Sequence, residues 1–166
     1  VVLVHARELE NKFIADGFGV NRRDVMYNDF VIIGPIDDPA GISGLTDAVG
    51  ALQKIATSGS VFVSRGDRSG THIKEIQLGK AGDVGDKGNW YQEAGRGMGE
   101  VIIMANEQHG YTLADRGTFI AFKDRIDLIV LSEGDNRLFN PYCVMAVNPD
   151  KHAHIKFELA SEVAVI

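Results

Sequence analysis

Short apolar runs that alternate with helix-spaced segments set the strongest limit on how this chain folds. Strand-length apolar runs at 1–4, 29–34, 60–63, 129–131 and 142–147 interleave with segments suited to helix at 8–15, 46–57, 71–79, 97–108 and 118–122. That order predicts an α/β fold. The segment from Thr46 carries Val49, Leu52, Ile55 and Ala56 on one helical face, read as core, and Gly59 is placed to stop it before the strand Val61-Phe62-Val63. The stretch 79–99 is rich in Gly, Asp and Lys and is expected to be a surface loop leading into a helix near Met98, with Trp90 and Tyr91 either covering a cleft or, the preferred reading, pinning the loop to its own domain. Pro35 and Pro39 border one strand-like run, and Pro141 and Pro149 border another, which suits two chain crossings.

At 166 residues and 45% hydrophobic content, the chain can form one ordinary domain or part of a two-domain protein. The opening Val1-Val2-Leu3-Val4 reads as a strand already under way, so the sequence is expected to be a fragment and any leader would lie upstream. No run approaches the ~18 apolar residues of a membrane span. A net charge of −6 and a pI near 5.3 argue against broad nucleic-acid binding. They do not bar an anion, because a few donors at contact distance outweigh a diffuse charge that salt screens over ~10 Å. The single Cys143 sits in the run Tyr142-Cys143-Val144-Met145-Ala146-Val147 and reads as a buried small hydrophobe.

The strongest chemical signal follows the strand at Val61: the loop Ser64-Arg65-Gly66-Asp67-Arg68-Ser69-Gly70-Thr71, then a helical run from His72 to Leu78. A helix N-terminus presents backbone N–H groups without partners and a partial positive potential, which suits a tetrahedral anion. Ser69 and Thr71 add hydroxyl donors, and Gly70 lets the backbone come close to a ligand. Arg65 offers a planar fork to two oxygens, with Asp67 placed to orient it or to cap the helix, whereas Arg68 is expected to face solvent. Ser64 stands at the edge of this group.

A second donor-rich segment, Tyr111-Thr112-Leu113-Ala114-Asp115-Arg116-Gly117-Thr118, is expected to hold a short turn capped by Thr112, with Arg116 paired to Asp115 or Glu107. It serves either as a structural ion pair or as support for a cleft. His5 ends the first strand, where open α/β sheets present ligand-binding groups. The five histidines show no metal-ligand spacing, and no metal site or cofactor is expected. No Gly-x-Ser-x-Gly elbow or phosphate-binding Gly-x-x-x-x-Gly-Lys loop is present, and Gly95 to Gly99 is read as a glycine-rich helix entry. Enzymatic activity is therefore not expected.

Several of these motifs occur in the order that the sequence shares with a known family. On Val1-Val2-Leu3-Val4-His5-Ala6, Met26-Tyr27-Asn28-Asp29-Phe30 with Gly34-Pro35, the Ser64 to His72 segment, the Tyr111 to Thr118 segment, and Asn140-Pro141-Tyr142 with Val147-Asn148-Pro149, the chain resembles the tungstate-binding proteins of bacterial ABC importers, of the type II periplasmic binding protein superfamily. The Arg-x-Asp-x-Ser-Gly-Thr core is similar to that of phosphate-binding proteins as well, and the companion motifs favour tungstate.

The resemblance implies two α/β lobes joined by two crossing strands, with 1–35 and 140–166 as parts of lobe one and 36–139 as lobe two. It implies a small oxyanion, tungstate with molybdate as a possibility, held between the lobes by Arg65, Ser69, Gly70 and Thr71. Ser64, Asp67, His5, Thr112, Asp115 and Arg116 would support the site or line the cleft. It further implies an ABC transporter permease as partner, a periplasmic or extracytoplasmic location, and a monomer when intact. The family's opening strand and Thr/Ser-rich anion loop have no counterpart here. The chain is thus expected to lack the N-terminal part of the first lobe and to bind weakly or not at all by itself. Two alternatives keep the anion chemistry: an oxyanion-sensing domain of a transcription regulator, and a phosphate- or sulfate-binding protein. A third, an anion-dependent hydrolase with Ser64 or Ser69 as nucleophile, belongs to a different class.

Overall fold

The computed structural model describes residues 1–84 and 88–163. The elements run β1 (Val2–Val4), α1 (Arg7–Ala15), β2 (Gly19–Gly34), α2 (Ala48–Ser58), β3 (Phe62–Ser64), α3 (Gly70–Ala81), β4 (Tyr91–Glu93) and α4 (Met98–Glu107). They continue with β5 (Thr112–Asp115), α5 (Arg116–Phe122), β6 (Ile129–Ser132), β7 (Phe139–Val147) and α6 (Phe157–Val163). The chain forms two compact units: unit 1 is Val1–Tyr27 with Asn140–Ile166, and unit 2 is Asn28–Phe139. Strands β2 and β7 lead from one unit to the other, where the bounds fall between Tyr27 and Asn28 and between Phe139 and Asn140.

In unit 1, β7 lies between β1 and β2, and β1 pairs with it antiparallel, Val2 opposite Met145 and Val4 opposite Cys143. Cys143 is fully buried and unbridged, and burial pushes its thiol up to about 11. Glu10 of α1 is buried as well, and Arg22 of β2 meets it at 3.0 Å, which offsets the cost of removing a carboxylate from water.

In unit 2 the buried stretch of β2 separates two apolar layers. Phe30 and Ile32 point into a core with Ala48, Leu52 and Ile55 of α2, while Val31 and Ile33 point into a second core with Val101, Ile102 and Ala105 of α4. This is the period-two alternation of a strand covered by helices on both faces. β5 pairs antiparallel with β2, Phe30 opposite Asp115 and Ile33 opposite Thr112, and β6 pairs with β2 through Ile32–Gly34. β3 joins this layer through a parallel bridge from Phe62 to Tyr111, and β4 extends it by pairing parallel to β3. Gly59 ends α2 in a left-handed conformation, φ 70°, as its place in the sequence implies.

Three expectations change. The stretch 79–99 is not loop throughout, since Tyr91–Glu93 forms β4 and Trp90 and Tyr91 pack on Phe62 with ring centroids 6.3 and 5.9 Å away; the part at 85–87 lies outside the described residues. β2 begins at Gly19, ten residues before the apolar run that marks it in the sequence. A terminal helix, α6, follows the last predicted strand.

Candidate anion-binding site

Phe62 and Val63 anchor β3 in the two cores, and the chain leaves the strand at the buried Ser64. A hydroxyl carries one proton, and the Tyr91 hydroxyl touches both the Glu75 carboxylate and, at 2.9 Å, the Ser64 hydroxyl. With Glu75 ionised, Tyr91 donates to it and Ser64 donates to Tyr91. Ser64 Oγ then accepts the Gly66 amide at 3.2 Å. Ser64 is therefore a strut beneath the loop.

Above it, Asp67 uses both oxygens on its neighbours: Oδ2 receives the Arg65 guanidinium at 2.5 Å and Oδ1 receives the Ser69 amide at 3.0 Å. Burial pushes the Asp67 carboxyl up, but bonds from Ser69 and Arg65 together outweigh it and hold the group below its ordinary value. Asp67 thus orients Arg65, and the helix cap is Ser69, whose Oγ accepts the His72 amide at 3.4 Å. Arg68 is exposed, with φ 60°, and its amide donates to His72 Nδ1 at 2.9 Å.

The loop's own bonds thus take the amides of Gly66, Arg68, Ser69 and His72. The Gly70 and Thr71 amides, in the first turn of α3, meet no acceptor among the described residues. Arg65 Nε is likewise buried without a partner. The two amides stand in the first turn of a twelve-residue helix, where unpartnered N–H groups favour an anion.

The second predicted segment is arranged differently. Thr112 is buried inside β5 and donates to the Val63 carbonyl at 2.7 Å, so it ties β5 to β3 and caps nothing. Asp115 caps α5, accepting the Thr118 amide at 2.9 Å and its hydroxyl at 2.6 Å. Arg116 pairs with neither Asp115 nor Glu107. Its Nε and Nη2 meet both oxygens of Asp29 at 2.6 Å, and Nη2 also meets Glu133 at 2.6 Å. The sequence offered no signal for these partners, which lie 87 and 17 residues away. The hydrogen bonds to Asp29 and Glu133 raise the Arg116 pKa, so the guanidinium stays charged.

His5, in unit 1, follows β1 and is held by Asn140 at 3.0 Å and by stacking on Tyr142 at 4.8 Å. The residues that sequence reasoning missed are His72, Tyr91 and Glu75. Their signal was faint: His72 stands four residues after Arg68, and Glu75 one helical turn after His72.

The chain belongs to the periplasmic binding protein (PBP) superfamily, whose domain model matches residues 1–164. More particularly, it is 47% identical to the tungstate-binding protein TupA of Peptoclostridium acidaminophilum, over 95% of this chain and 56% of that protein. Among solved structures it is similar to the tungstate ABC transporter structure from Geobacter sulfurreducens, with 60% identity and a TM-score of 0.87, covering 98% of this chain and 69% of that one. The tungstate binding protein TupA from Desulfovibrio alaskensis G20 follows at 46% identity and a TM-score of 0.82, covering 98% and 67%. The chain spans about half the length of the curated relatives it matches. Among the described residues, no helix is long and apolar enough to cross a membrane.

Proposed function

We propose that the chain is part of the extracytoplasmic solute-binding component of an ABC importer, which captures tungstate and delivers it to a membrane permease without catalysing a reaction. In this reading units 1 and 2 are parts of two lobes, and the loop between β3 and α3 is the anion-binding part of unit 2. Arg65, Ser69, Gly70 and Thr71 meet the oxyanion, and Ser64 and Asp67 hold them in place. The support from relatives is that two of the curated relatives and two of the solved structures similar to this chain carry tungstate in their names, and a further curated relative is named as an anion-binding protein.

The observation that carries the reading is the division of labour at Asp67. Its two oxygens serve Arg65 and the Ser69 amide, while Arg65 Nε and the Gly70 and Thr71 amides keep unmet donors. Donors without a free acceptor beside them suit an oxyanion that carries no proton. Hydrogen phosphate gains from a carboxylate that accepts its proton, and the acceptor nearest these donors is engaged. Molybdate matches tungstate in charge and is the natural competitor.

Reversing the charge at Arg65 tests the assignment. In the intact protein, Arg65→Glu sets a carboxylate against the ligand and is expected to weaken tungstate binding by ~100-fold or more. Calorimetry that returned the wild-type affinity would overturn the site.

A further inference from the structure

We infer that His72 is a positioning residue for oxyanion capture, which keeps the loop from Arg65 to Ser69 in its binding shape by accepting the Arg68 amide. The inference rests on the anion-binding reading of that loop.

His72 is 6% exposed, and its Nδ1 lies 2.9 Å from the Arg68 nitrogen. An amide only donates, so Nδ1 is the unprotonated nitrogen and the ring proton sits on Nε2. That second nitrogen is buried and makes no hydrogen bond, although the Glu93 carboxylate is 4.0 Å away. A ring set by Glu93 would close that gap. The orientation observed is the one that serves Arg68.

The service matters because Arg68 has φ 60°, a left-handed conformation that a side chain with a Cβ resists. This bend, after the left-handed Gly66 at φ 61°, turns the chain so that Asp67 reaches both Arg65 and the Ser69 amide. Without an acceptor at position 72, Arg68 can relax to negative φ. Asp67 then loses its place between Arg65 and Ser69, and the ligand's arginine is no longer braced.

Side-chain geometry supplies the test. The Asn side-chain oxygen occupies nearly the place of Nδ1, whereas Leu fills similar space with no acceptor. In the intact protein, titrated with tungstate, His72→Asn is expected to bind within about threefold of wild type and His72→Leu about tenfold more weakly. Glycine adopts the left-handed conformation freely, so adding Arg68→Gly to His72→Leu should restore affinity to within about threefold of Arg68→Gly alone. A core-packing role for His72 would not be rescued this way. The inference is overturned if His72→Leu binds like wild type, or if the double variant stays as weak as His72→Leu. Ring ¹⁵N chemical shifts of His72 in the unliganded protein add an arm that needs no ligand. A proton on Nε2 is predicted, and a proton on Nδ1 would contradict the lock. Failure of the wild-type protein to bind tungstate would instead sink the anion reading, and His72's part in capture with it.

Discussion

In the proposed reading, a single side chain, Asp67, braces the arginine that meets the anion. An arginine that is free in solution loses rotamer entropy when it meets a ligand, and the 2.5 Å contact to Asp67 removes part of that loss before binding. Gly66 is the second residue the loop depends on. Its φ is 61°, and a Cβ built there would lie 2.8 Å from Glu93 Cβ and 3.3 Å from Glu93 Cα. Gly66→Ala combines left-handed strain with a collision against β4, and we expect it to destabilise unit 2 by ~1–3 kcal/mol. Urea unfolding of the intact protein reads this, and an unchanged midpoint would mean that the loop does not pack on β4.

At the scale of elements, strand, loop and helix in series position the proposed site. β3 is fixed in both cores of unit 2, and α3 starts where Ser69 caps it, so the donors at Gly70 and Thr71 are placed by packing on either side. Helix α2 depends on a remote cap: Asp135 Oδ2 accepts the Ala48 amide at 2.8 Å, and its Oδ1 accepts the Arg137 amide. The Arg137 guanidinium, with these amides, holds the Asp135 carboxyl at about 2, down from 3.8. A depressed carboxylate adds stability that is present above 3.8 and is lost as pH falls toward 2. The gap in urea midpoint between wild type and Asp135→Ala should therefore shrink across that window; a gap independent of pH would refute the assignment.

The loop between β3 and α3 was legible in the sequence because its signals are local: an apolar strand, a cap residue, two glycines and a helical run within a dozen positions. The partners of Arg116 were not, since Asp29 and Glu133 are brought beside it only by β2 and by the chain after β6. The misreading of Thr112 has the same origin, because nothing local tells a capping threonine from one buried in β5 against Val63. The start of β2 at Gly19 was hidden by Asn21, Arg22, Arg23 and Asp24, which show no apolar alternation, and the segment is a strand because it pairs in the sheet with β7.

For the whole molecule, the acidic balance of −6 constrains the ligand little. The proposed reading asks only that a few fixed donors meet a small anion, and the chain spans only about half the length of its curated relatives. The central claim is thus best tested on the intact protein, by calorimetric titration at neutral pH with tungstate, molybdate, sulfate and phosphate in parallel. The account predicts stoichiometric binding with tungstate tighter than sulfate and phosphate. A preference for phosphate would contradict the donor-only reading of the loop, and no binding to any of the four would contradict the anion site itself.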